Sequence, residues 1–71
     1  MIAFYKLAYM MKKRHMNTVQ LAQVSGISRA TISKMLNGHR IYTDVLGRIC
    51  EALSCQPGDI MEYIPDSEEK A

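Results

Sequence analysis

The sequence predicts an all-α domain of five short helices, and three features lead there. Apolar residues recur three and four apart along most of the chain, the spacing that places them on one face of a helix. Left-handed stop signals, Gly26 and Asn37-Gly38, close two runs that each begin at a polar capping residue. The apolar content is mostly Leu, Ile and Met, with six Met and no Trp, as suits a helical core. At 71 residues the chain holds one compact domain. A domain of that size buries only about 60% of its unfolded surface, so dimerisation is a common source of added stability.

The first helix is expected over Ala3 to His15, with Phe4, Leu7, Ala8 and Met11 on its inner face. Lys12, Lys13, Arg14 and His15 fill its last turn, where cations suit the helix dipole. Asn17 then reads as an N-cap, with Gln20 completing a capping box and Met16 and Leu21 as the flanking apolar pair. The second helix runs from Thr18 to about Ser25 and stops at Gly26. About two residues later Ser28 caps a third, between Ile27 and Ile32, which continues to Leu36. So short a link with Gly at the corner forces a sharp turn and a large crossing angle.

A fourth helix is expected from Asp44 to Leu53 with Thr43 as its cap, and with Val45, Leu46, Ile49, Cys50 and Leu53 inward. Gly47 in its middle costs about 1 kcal/mol relative to Ala, which suggests close helix approach there. Pro57 and Asp59 suit the first turn of a brief fifth helix, and Ile60, Met61 and Ile64 would close the core. The domain is expected to span residues 1–65, followed by a frayed acidic tail over 66–71.

Charge is distributed unevenly. The net charge is only +2, yet residues 1–40 carry Lys6, Lys12, Lys13, Arg14, Arg29, Lys34 and Arg40 and no acid. All seven acids (Asp44, Glu51, Asp59, Glu62, Asp66, Glu68 and Glu69) follow. A half so basic presents a positive field suited to a phosphate backbone, to an acidic protein or simply to solvent.

Cys50 and Cys55 match neither a CxxC redox pair nor a four-ligand zinc set, and read as reduced thiols. At the start of the chain the charges follow the apolar residues, the reverse of a signal peptide, and no apolar run approaches a membrane span. An intracellular, cytoplasmic protein is expected. His15 and His39 stand alone, and so small a helical domain offers little room for a pocket. No enzyme activity, metal, cofactor or small-molecule ligand is therefore expected.

The stretch NTVQLAQVSGISRATISKMLNG, Asn17 to Gly38, resembles the phage-repressor and Cro-like helix-turn-helix family, often called XRE. Leu21-Ala22, the turn glycine Gly26, the apolar pair Ile27 and Ile32, and the Asn37-Gly38 ending carry the match. The later segment DVLGRICEALSCQPGDIMEY is similar to that of small stand-alone members, so the resemblance covers nearly the whole chain. It departs at Ser25, often more apolar, at Thr18, where many relatives have Gln, and at Gly47, in place of a polar helix former. The fold it implies is repressor-like, with helices two and three as the helix-turn-helix.

Helix three would then be the recognition helix. Ile32, Met35 and Leu36 turn inward, toward helices two and four, while Ser28, Arg29, Ala30, Ser33 and Lys34 face the major groove. Arg29 can bond guanine O6 and N7 in bidentate fashion and Ala30 can meet a thymine methyl. Ser28 can donate or accept, and Lys34 can reach a guanine or a phosphate. The resemblance places Thr18, Thr31, Asn37, His39, Arg40 and Thr43 on phosphates, with the backbone N–H groups that open helices two and four. One domain makes few contacts, so a homodimer on a palindrome is implied, its recognition helices about 34 Å apart. Ile2, Phe4 and Tyr63-Ile64 are apolar for chain ends, and could pair as short strands, pack across a two-fold axis or cap their own core.

The reading is thus a sequence-specific DNA-binding transcriptional regulator, with repressor taken from the resemblance. The rival is a protein-interaction module of the same fold, docking an antirepressor, a toxin or a polymerase subunit. Helix three separates them, because a docking face would show Leu, Phe or Tyr where this one shows Ser, Arg, Ala, Thr and Lys. RNA binding lacks the aromatic stacking platforms it would need.

Overall fold

A computed structural model describes residues 1–65. The element order is β1 (Ile2–Ala3), α1 (Tyr5–Lys13), α2 (Thr18–Ser25), α3 (Arg29–Leu36), α4 (Thr43–Leu53), a 3₁₀ turn (Pro57–Asp59) and β2 (Glu62–Tyr63). The described residues are therefore mostly helical, with four α-helices and a two-stranded ribbon rather than five helices. The expected tail over 66–71 lies outside the described residues.

The first helix is shorter than its apolar pattern suggested. His15 takes a left-handed conformation, φ 54°. The Met16 N–H then reaches back to the Met11 carbonyl at 2.8 Å, and the His15 N–H to that of Lys12 at 3.1 Å. This closure satisfies carbonyls that the helix end would leave open, and it ends α1 before the basic run is complete. Leu7 and Met11 are buried behind Phe4, whereas Ala8 is exposed.

The next two helices start and stop where the capping residues indicated. Asn17 Oδ1 accepts the Gln20 N–H at 2.8 Å, and Gln20 Oε1 accepts the Asn17 N–H at 2.9 Å. Gly26, at φ 73°, ends α2, and its N–H bonds to the Ala22 carbonyl. Ser25 ties the corner together. Its hydroxyl donates to the Leu21 carbonyl at 2.7 Å and accepts the Ile27 N–H at 3.2 Å. Ile27 is thereby held in the core as the chain turns into α3.

Three expectations for the later chain are corrected. Thr43 is the first residue of α4, and Tyr42, extended at φ −81° and ψ 151°, is its N-cap without a side-chain bond. Gly47 marks no close approach, since a Cβ built there meets nothing within 4 Å. The fifth helix is a three-residue 3₁₀ turn. The Gln56 N–H donates to Asp59 Oδ2 at 2.9 Å and the Asp59 N–H to the Gln56 backbone carbonyl at 2.9 Å, and the chain then leaves the turn so that Ile60 enters the core.

Helix α4 ends at Ser54, left-handed at φ 53°. The Cys55 N–H bonds to the Cys50 carbonyl at 3.0 Å, and Arg14 donates to the Leu53 carbonyl at 3.0 Å. Both cysteines are free and half-buried. Burial and the neighbouring Cys50 thiol push the Cys55 thiol up from its ordinary range, so it stays protonated at neutral pH.

The first and last stretches of the described residues pair with each other. β1 and β2 run antiparallel, with Ile2 opposite Tyr63 and Ala3 opposite Glu62. The Ile64 N–H also donates to the Met1 carbonyl at 2.7 Å. Leu7, Leu21, Ile32, Met35, Ile49, Leu53 and Ile60 are the fully buried side chains, so each of the four α-helices supplies the core. α2 packs on both α3 and α4, and α1 reaches α3.

Candidate nucleic-acid interface

Ile32 and Met35, both fully buried, fix the rotation of α3 about its axis. With those two inward, Arg29, Ala30, Ser33 and Lys34 are exposed. Arg29 lies one turn before Ser33, and Ala30 one turn before Lys34, so the four form two adjacent rows. Arg29 and Lys34 have no ion pair or side-chain hydrogen bond among the described residues. Two long, uncommitted cations beside small side chains allow close approach to a surface that accepts hydrogen bonds.

Ser28 is brought to the same end of α3 but is already engaged. Its Oγ accepts the Thr31 N–H at 3.2 Å and donates to Thr31 Oγ1 at 2.9 Å. In this arrangement Ser28 can only accept from a further partner, whereas Thr31 keeps its own proton to donate. Asn37 is similarly half-committed. Its Nδ2 donates to the Ser33 carbonyl at 2.9 Å, closing the end of α3 and leaving one amide hydrogen and Oδ1 available.

The other predicted contacts come from different elements. Thr18 is half-buried at the first position of α2. There the Asn17–Gln20 capping box already occupies the Gln20 N–H. His39 and Arg40 are exposed on the link between α3 and α4, and Thr43 is exposed at the start of α4. Asp44 stands beside Thr43 and accepts the N–H of Val45 at 3.0 Å, so a carboxylate sits where α4 would present its N-terminus to a phosphate. That acid weakens the α4 end as an anion site relative to α2, whose first turn carries none.

Of the basic residues left outside the interface, two prove structural. Arg14 clamps the end of α4, and Lys6 Nζ donates to the Gly58 carbonyl at 3.1 Å. Among the described residues no helix is long and apolar enough to cross a membrane, and no cluster of His, Cys, Asp and Glu is built to hold a metal.

A buried-inner, polar-outer third helix set across a glycine corner from α2 defines a helix-turn-helix protein. Residues 6–66 match the Cro/C1-type helix-turn-helix DNA-binding domain family, and the chain belongs to that family. It is 43% identical over 61 residues to YozG, an HTH-type transcriptional regulator of Bacillus subtilis (strain 168), covering 83% of this chain and 73% of that one. Its fold is similar to the crystal structure of the transcriptional regulator VanUg, with a TM-score of 0.81 and 33% identity. That likeness covers 90% of this chain and 85% of the other.

Proposed function

We propose that the chain is a sequence-specific transcriptional repressor that binds a palindromic operator as a homodimer and blocks promoters by occupying them. One observation carries this reading: the exposed Arg29 and Lys34, without a side-chain partner among the described residues, on a helix whose rotation is locked by Ile32 and Met35. In it, Arg29, Ala30, Ser33 and Lys34 read base edges, with Ser28 as an acceptor at the end of the row. Thr18, Thr31, Asn37, His39, Arg40 and Thr43 hold phosphates and set the register. Residues 1–65 form the DNA-binding domain, no catalytic step is involved, and the protein works in the cytoplasm on the nucleoid.

The experiment is selection from random duplex DNA at several salt concentrations, with wild type and Arg29→Ala. An enriched palindromic motif, a steep loss of affinity with salt, and a loss of about 1–3 kcal/mol at one base position for the variant support the reading. No motif, with a variant that loses only one phosphate contact's worth, refutes base reading. The protein-docking module then takes its place, and the exposed Tyr5 and Tyr9 of α1 are the surface to test for it.

A further inference from the structure

A domain this small was not expected to enclose a pocket, yet a cleft of about 480 Å³ opens between β1, the link from α3 to α4, the start of α4 and Met61. That volume lies within the range of small-molecule sites. Its wall is largely hydrocarbon, with Phe4, Ile41, Leu46 and Met61, while His39 and Arg40 line it from the link. Among the described residues no carboxylate lines it. Arg40 has no ion pair or hydrogen bond to another described side chain. An apolar wall beside one uncommitted cation is complementary to a molecule with a hydrocarbon body and a single negative head.

We propose that this cleft binds a small amphipathic carboxylate, a medium-chain or aromatic acid, as an effector that releases the protein from DNA. The hydrocarbon body lies against Phe4, Leu46 and Met61, and the carboxylate meets the Arg40 guanidinium. Arg40 and His39 are also proposed phosphate contacts, so acid and DNA backbone compete for the same donors. That competition rests on the DNA reading above; binding of the acid does not. The ligand shifts the equilibrium because its affinity differs between free and DNA-bound protein.

The test is a titration of the full chain, without DNA, with octanoate and with 1-octanol, followed by methyl and amide NMR shifts. The expected result is saturable shifts confined to Leu46, Met61, Ile41 and the 38–43 link. Octanoate should bind at least tenfold more tightly than octanol, with that preference lost in Arg40→Gln. Leu46→Phe, which fills the cleft, should abolish binding of both; if it fails to fold by circular dichroism, Ile41→Phe serves instead. Octanoate should then weaken binding to the selected operator several-fold in wild type and not in the filled variant. Shifts that never saturate, or that spread over the whole surface, overturn the site. So does a cleft already occupied by a second copy, seen as intermolecular contacts from Leu46 or Met61 that vanish on dilution. Binding of octanoate with no effect on an operator that wild type binds normally leaves the site standing and overturns its role as effector.

Discussion

The Ser28 and Thr31 side chains form a closed pair at the start of α3, Ser28 Oγ donating to Thr31 Oγ1 at 2.9 Å while accepting the Thr31 N–H at 3.2 Å. Capping and the proposed base contact therefore draw on the same hydroxyl, and substitution can separate them. Ser28→Ala should cost about 1 kcal/mol of stability, the ordinary worth of an N-cap. Ser28→Asp, an equally good cap, should keep stability within a few tenths of a kcal/mol. Its negative charge at the proposed groove face should nonetheless weaken DNA binding tenfold or more. Urea melts and operator titrations of the two variants check this. Equal DNA affinity for Ser28→Asp and wild type would place the start of α3 away from the DNA.

Two glycines should respond in opposite directions. Gly47 is exposed in the middle of α4 with nothing within 4 Å of a built Cβ, so Gly47→Ala should stabilise by about 0.5–1 kcal/mol. Gly26 has equally open surroundings but a φ of +73°, so Gly26→Ala should destabilise by about 1–2 kcal/mol through backbone strain alone. Denaturant midpoints at unchanged slope decide both. A destabilised Gly47→Ala would mean that this face of α4 is packed against something in solution.

The same contrast shows what the sequence could and could not reveal. The caps of α2 and α3 were legible because their chemistry is local: Asn17 with Gln20, Ser28 with Thr31, and the Gly26 corner depend on residues within four positions, whereas Tyr42, which caps α4 without a side-chain bond, left no such mark. The inward face of α3 was legible because Ile32 and Met35 keep helical spacing. The pairing of β1 with β2 was one of three options open for Ile2, Phe4 and Tyr63-Ile64, because two-residue strands far apart in sequence leave no period to choose among them. Gly47 misled because propensity alone cannot distinguish a glycine required by packing from one that is merely tolerated. The cleft was invisible because its wall is assembled from residues far apart in the chain, at its start, on the link between α3 and α4 and at Met61.

The basic end of α1 should divide into one structural residue and two dispensable ones. Arg14 Nη1 donates to the Leu53 carbonyl at 3.0 Å, satisfying a carbonyl in the last turn of α4. Arg14→Ala should therefore cost about 1–2 kcal/mol, near the value for a charge-assisted hydrogen bond after allowance for its exposure. Lys12→Ala and Lys13→Ala should change stability by less than about 0.5 kcal/mol. None of the three should alter the salt dependence of operator binding. A salt slope that falls in Lys13→Ala would bring the end of α1 onto the DNA backbone and enlarge the interface.

Arg29 and Arg40 are both exposed and both without an ion pair among the described residues, yet they should fail differently. Arg29 lies on α3, whose orientation the core fixes, so in the proposed complex it would return to the same base edge each time the helix docks. Arg40 lies on the link between α3 and α4, where it can follow a phosphate but is not held to one base. Arg40→Ala should weaken binding to operator and random DNA by a similar factor and reduce the slope of log K against log salt by about 0.9, the release of one phosphate's counterions. Arg29→Ala should leave binding to random DNA nearly unchanged while relaxing the preference at one position of the operator. Salt titrations of each variant on operator and random duplexes separate the two outcomes. If Arg29→Ala instead weakens both DNAs alike and lowers the slope, Arg29 is a phosphate contact, and the proposed base reading falls to Ser28, Ala30, Ser33 and Lys34.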